Sequence, residues 1–149
     1  LYMNLEQMRF KDRFDFKIDV EKSLDIDHIL VPSMILQPFV ENSIMHGILP
    51  LERKGTITIS IRSKNNDLSF DIKDNGIGIE TSMTLKDGNT AHHVSNGMKI
   101  TKQRMPILNK ISSQNYQVEG PRQITDETGK AMGTSVLITL PIKYKNARH

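Results

Sequence analysis

The sequence predicts an α+β fold, a two-layer α/β sandwich with a mixed, mostly antiparallel sheet. Two segments, 56–62 and 68–74, alternate apolar and polar residues around the turn-forming run Lys64-Asn65-Asn66-Asp67, which reads as an antiparallel hairpin. The apolar run 32–47 has helical spacing and carries the polar residues Glu41, Asn42 and His46. Helices and strands do not alternate regularly along the chain, so a doubly wound parallel sheet is excluded and helices segregated to one side of the sheet are expected.

The elements follow in order. Residues 1–11 place Leu1, Leu5, Met8 and Phe10 toward one side of a helix, and 14–20 (Phe-Asp-Phe-Lys-Ile-Asp-Val) alternates as a strand. Asp25 and Asp27 suit a short turn. Pro32 fits the first turn of a helix running to His46, with a kink at Pro38 and a stop at Gly47 and Pro50. After the hairpin, 76–97 is polar and glycine-bearing without a sustained period, which predicts a mobile loop longer than ordinary connections. Helical spacing returns over 98–109. A strand near 116–119, a turn-rich stretch 120–129 and a final strand 134–140 complete the sheet.

The 149 residues, 37% of them hydrophobic, suffice for one domain with its own core, and two halves would each be marginal. Net charge is +3, from 20 basic and 17 acidic residues, and part of the basic excess sits in the tail 143–149, so no nucleic-acid partner is expected. Three Tyr, five Phe and no Trp leave little to stack on bases. The absence of Cys removes disulfides, thiol catalysis and cysteine-ligated zinc, and fits a reducing compartment. No apolar run approaches the roughly 18 residues of a spanning helix. The chain begins at Leu1 and is read as a piece of a longer protein.

On a helix, Asn42 and His46 share a face and Glu41 lies about 100° away, with Leu36, Phe39, Val40 and Ile44 left for the core. An amide oxygen such as that of Asn42 suits Mg²⁺, a hard cation that binds nucleotide phosphates with few protein ligands. By itself this pattern is equally a turn cap and a C-terminal histidine favoured by the helix dipole. Asp74 closes a strand and is followed by Asn75-Gly76-Ile77-Gly78; its carboxylate can accept from an exocyclic amine while the glycines let backbone approach a ligand. A plain Asn-Gly turn is the alternative there. Gly97 and Met98, at a helix start, can offer backbone N–H groups to phosphate, and Gly133-Thr134 opens the last strand.

The order of these pieces resembles the ATP-binding catalytic domain of sensor histidine kinases, in the gyrase/Hsp90/histidine-kinase/MutL ATPase superfamily. Residues 32–47 are similar to the N box of the LytS type, and Leu5-Glu6-Gln7-Met8-Arg9-Phe10 resembles the segment leading into that domain. The resemblance covers nearly the whole chain. It implies that Asn42 binds Mg²⁺, that Glu41 and His46 contact the phosphate region as the catalytic pair, and that Asp74 holds the adenine amine. It also implies that Gly76 and Gly78 open a flexible ATP lid, that Gly97 and Met98 meet phosphate, and that Thr134 lies near the adenine. Glu41 is the candidate for polarising the acceptor histidine or a metal-held water. The implied activity is transfer of the ATP γ-phosphate to a histidine outside this chain, on the dimerisation domain of the same homodimeric kinase, and onward to a response regulator. Residues 1–11 would end the upstream dimerisation helix, and the location would be the cytoplasmic part of a membrane-anchored kinase.

The sequence departs from the family pattern at three places. Met45 stands where such N boxes usually have Lys. The second glycine box, usually Gly-Ile-Gly-Leu with a following Asn, reads Ser95-Asn96-Gly97-Met98. Pro38 stands where the hydrolysing branches carry a water-activating Glu, so hydrolysis is expected to be slow and an ATP-driven clamp is disfavoured. The first two departures motivate an alternative, a degenerate nucleotide-sensing or interaction module without kinase activity. None of His28, His46, His92, His93 and His149 has the helical context of a phosphoacceptor.

Overall fold

Alternation along the strands decides which side chains meet the helices. The computed structural model describes residues 1–86 and 116–145, the side chains of 83–86 excepted. Five strands form one sheet in the order β1-β3-β4-β6-β5: β1 Phe14–Val20, β3 Gly55–Lys64, β4 Asp67–Asp74, β5 Gln117–Thr125 and β6 Ala131–Pro141. Only β1 and β3 run parallel; the other pairs are antiparallel. The expected mixed, mostly antiparallel sheet is therefore the observed one. The β3–β4 hairpin turns on Asn65 and Asn66, both with positive φ, the conformation that a two-residue turn of right-handed twist needs.

On β3, Ile57 and Ile59 point inward; on β4, Leu68, Phe70 and Ile72; on β6, Val136, Ile138 and Leu140. The opposite face carries Thr58, Ser60, Asp71 and Lys73 and is open to solvent. One face buried and one wet is the two-layer sandwich read from the sequence. The helices on the covered face contribute Met3, Phe39, Val40, Ile44 and Ile48 to the core.

Helix α1, Tyr2–Arg9, lies beside β1, and α2 covers Gln37–Asn42 before continuing as a π-helical turn over Ser43–Ile48. Three expectations for this run are corrected. The helix starts at Gln37 rather than Pro32, because Met34 takes a positive φ that ends any helix through it. Pro38 consequently falls in the first turn, where its missing N–H has no intrahelical partner, and it starts the helix instead of kinking it. Gly47 does not stop the helix either. The wider turn carries on to Ile48, with the Leu49 N–H bonded to the Ile44 carbonyl at 2.9 Å. Arg13 donates to the carbonyls of Leu49 and Leu51, placing a cation where the helix ends.

Two loop expectations are also corrected. Residues 79–86, expected to be loop, form α3, Ile79–Lys86. Its first N–H groups are satisfied from far away in sequence: the side-chain oxygen of Gln123 on β5 accepts from Ile79 N at 3.0 Å and Glu80 N at 3.2 Å. Residues 120–125, expected to be turn, continue β5 through an irregularity between Glu119 and Arg122, and the turn is confined to the loop after Thr125. The start of the basic tail is likewise a strand, β7 Lys143–Tyr144, paired with β2 Ile29–Leu30 in a small second sheet. The helix expected over 98–109, together with Gly97, Met98, His92 and His93, lies outside the described residues. No helix among the described residues is long and apolar enough to cross a membrane.

Candidate functional site

Asp74 continues the inward row Leu68, Phe70, Ile72, so strand period alone turns its carboxyl toward the helices, where only 4% of the residue stays exposed. β6 places Thr134 directly opposite it in register. The Asp74 carboxyl accepts three hydrogen bonds: from Gly76 N at 2.9 Å and Thr134 N at 3.2 Å on Oδ1, and from the Thr134 hydroxyl at 2.5 Å on Oδ2. These satisfy the burial of a polar group without using all its lone pairs, and Oδ2 keeps capacity for another donor.

The helix presses its backbone onto this carboxyl. A Cβ added at Gly47 would lie 2.9 Å from Asp74 Oδ1, and one at Gly76 would lie 2.4 Å from the Gly47 backbone. The Ile77 N–H donates to the Gly47 carbonyl at 2.9 Å. Gly133, at φ +137°, lets the start of β6 pass so close to Asp74 that a Cβ there would sit 1.9 Å from its carbonyl oxygen. The loop after β4 is tied on its other side too, since Thr56 N donates to Asn75 Oδ1 at 2.7 Å and Arg53 to the Asn75 carbonyl at 2.8 Å. Gly78, at φ +81°, packs against Ala131 and Gln123 and turns the chain into α3.

Asp74, Gly76 and Thr134 thus meet at one point, with Gly47 and Gly133 as partners whose contacts with Asp74 the sequence did not show. In both cases the reason for glycine is a contact with backbone or side chain distant in the chain, and the nearest local signal was a helix-stop pattern or a strand opening.

The N-box residues lie along the helix from that point, Asn42 being roughly 8 Å before Gly47 at the ordinary helical rise. Asn42 is half-buried, and its Nδ2 atom is enclosed without a hydrogen-bond partner. Glu41 Oε1 accepts from Gln37 Nε2 at 2.8 Å and faces the Tyr2 hydroxyl at 3.4 Å. Burial pushes the Tyr2 hydroxyl well above its ordinary pKa, and the carboxylates of Glu41 and Glu6 add to that effect. His46 is half-buried on the π-helical turn, and Met45 beside it is exposed. Among the described residues no group of three or more His, Cys, Asp or Glu is placed to hold a metal.

Residues 30–144 match the family described as histidine kinase-, DNA gyrase B-, and HSP90-like ATPase. The chain is 37% identical over 79 residues to the sensor histidine kinase YpdA of Escherichia coli, which covers 53% of this chain and 14% of that protein. It is 40% identical over 83 residues to the sensor protein LytS of Oceanobacillus iheyensis, covering 55% of this chain and again 14% of the relative. It therefore spans about a seventh of the length of these relatives. Among solved structures, the histidine kinase domain of the blue-light activated kinase from Erythrobacter litoralis EL346 superposes with a TM-score of 0.56 at 15% identity, over 93% of this chain and 56% of that one. At that identity the match speaks for the fold alone.

Proposed function

From its membership of the histidine kinase-, DNA gyrase B-, and HSP90-like ATPase family, to which this chain belongs, we propose that it is the Mg·ATP-binding catalytic domain of a LytS-type sensor histidine kinase. The phosphoryl acceptor is a histidine outside this chain, on the dimerisation domain of the same kinase, and a response regulator receives the group next. The observation that carries this reading is the buried Asp74 carboxyl, fixed by Gly76 and Thr134 beneath a helix that bears no side chain at Gly47.

The residues divide the work by position. Asp74 Oδ2, oriented by the Thr134 hydroxyl, accepts from an exocyclic amine such as that of adenine. Gly47 and Gly76 let the helix and the loop after β4 close on the carboxyl, since a methyl at either would meet atoms there. Asn42, further along the helix, would hold Mg²⁺ through its amide oxygen: its amide nitrogen has no protein partner, so no hydrogen bond from that end fixes the group away from a cation. Magnesium-bound ATP supplies the phosphoryl group and the neutralisation of its charge. Glu41, held by Gln37, accepts a hydrogen bond from the incoming histidine and orients it. His46 is assigned to the phosphate region, and Gly78 turns the chain into α3. In phosphoryl transfer the protein mainly positions and neutralises, so this set needs no covalent nucleophile.

Titration calorimetry of ATP into the chain, with and without Mg²⁺, tests the proposal. Asp74→Asn replaces an acceptor oxygen by a donor and is expected to weaken ATP at least tenfold, about 1.4 kcal/mol, whether or not Mg²⁺ is present. Asn42→Ala should abolish the Mg²⁺-dependent part alone. A folded wild-type chain that binds no ATP would reject the proposal and select the degenerate module, which the exposed Met45 in place of a cation would then explain.

A further inference from the structure

We infer that Tyr2 is a positioning residue for Glu41, so that the placement of α1 governs the side chain that precedes Asn42. The inference rests on the catalytic reading of Glu41 given above.

Glu41 receives two hydroxyl or amide donors on the same oxygen, and they differ in kind. Gln37 lies one turn earlier on the same helix and donates at 2.8 Å, which holds the carboxylate against its own helix but cannot report on anything outside it. Tyr2 lies 39 residues away on α1 and faces the same Oε1 at 3.4 Å. An O–H···O bond to a carboxylate is ordinarily 2.5–2.7 Å long. The Tyr2 contact is thus several tenths of an ångström from its optimum, where a small movement of α1 either completes it or breaks it. Such a contact transmits position more than it adds stability.

The helix that carries Tyr2 is itself tied to the sheet. Met3 is in the core, and Gln7 Nε2 donates to the Phe14 carbonyl at 3.0 Å, so α1 is held against β1 as a unit. Glu6 is 8% exposed, and one of its carboxylate oxygens is enclosed without a hydrogen bond, its nearest cation being Arg9 at 3.6 Å. Burial first, then Glu41 and Glu6, disfavour loss of the phenolic proton, which keeps the hydroxyl a donor. An α1 displaced by as little as a fraction of the 1.5 Å helical rise would leave Glu41 with Gln37 alone.

The test is a double-mutant cycle in the full-length kinase carrying this domain, with single-turnover transfer to the acceptor histidine as one readout and ATP affinity as the other. Tyr2→Phe keeps the ring and its packing. We expect it to slow transfer about fivefold, a coupling usual between contacting residues, with ATP affinity and melting temperature unchanged. Added to Glu41→Gln, it should cause no further loss. Additive losses, a wild-type rate for Tyr2→Phe, or a parallel fall in transfer, affinity and melting temperature would each overturn the inference while leaving the proposed function intact. A wild-type rate for Glu41→Gln would instead reject the reading of Glu41, and the inference with it.

Discussion

The two ends of the site are built from different materials. Around Asp74 the contacts are mostly to backbone: two main-chain N–H donors and glycines at 47, 76 and 133 that bring main chain within reach of the carboxyl or its strand, with one cross-strand hydroxyl added. Around Glu41 they are side chain to side chain, from Gln37 and from Tyr2. Backbone contacts inherit the rigidity of the sheet, whereas side-chain contacts can be remade by a rotamer change. The first end is suited to discriminating one ligand group from another, the second to being adjusted. The proposed function, nucleotide binding followed by transfer of its phosphate, would use both.

The largest effect should come from breaking the rigid end. Gly76→Ala places a methyl 2.4 Å from the Gly47 backbone, which cannot rotate away as a side chain could, so we expect a loss of about 3 kcal/mol in urea denaturation. Gly129→Ala is the control. Nothing lies within 4 Å of a Cβ there, and only its φ of +82° opposes the change, for about 1 kcal/mol. Equal losses in the two variants would mean that the close approach of the helix to Asp74 carries no energetic weight.

Thr134→Val is the next step down. It keeps the volume and the main-chain donor but removes the hydroxyl from Asp74 Oδ2, and a hydrogen bond to a carboxyl in such a setting contributes about 1.5 kcal/mol. The urea midpoint should fall, with ATP affinity falling alongside it because the carboxyl loses its orientation. A fall in stability with unchanged affinity would uncouple Thr134 from the nucleotide.

What the sequence made legible follows the same division. Strand period showed the β3–β4 hairpin and, with it, the face on which Asp74 lies, because alternation is local and survives without knowledge of neighbours. Helical spacing located Glu41, Asn42 and His46. The pairing of Thr134 with Asp74 was only weakly legible, since it depends on a register between strands 60 residues apart. Gly47 was misread as a stop because the local pattern, a glycine followed by Pro50, is that of a helix end; its actual reason is the carboxyl of Asp74. Helix α3 was missed because Gln123, which caps it, is 44 residues from Ile79. Tyr2 carried no signal at all, for its partner lies across the domain. Local chemistry was readable, and whatever needed a distant partner was not.

At the adjustable end the expected stability effects are small. Gln37→Leu removes the donor to Glu41 from a half-exposed position, where the carboxylate can turn to water, so the change should stay within about 0.5 kcal/mol. A loss as large as that of Thr134→Val would erase the contrast between the two ends.

The smallest effect is confined to alkaline solution. The Tyr2 hydroxyl has a raised pKa in the folded chain, from burial first and from the Glu41 and Glu6 carboxylates second. Between its unfolded value near 10 and its higher folded value, the folded state therefore holds a proton that the unfolded state has released. Its contribution to stability is complete below pH ~10 and declines as the pH rises above that value. Other groups titrate in the same range, so the measurement is a difference: urea midpoints of wild type and Tyr2→Phe followed from pH 8 upward. The two curves should coincide to about pH 10 and separate above it, the wild type falling below Tyr2→Phe, because only the wild type has an unfolded chain that releases a proton the folded chain keeps. Curves that coincide throughout would mean that the hydroxyl is neither buried nor held against the carboxylate, and the end of the site that faces α1 would then lack the contact by which α1 is read.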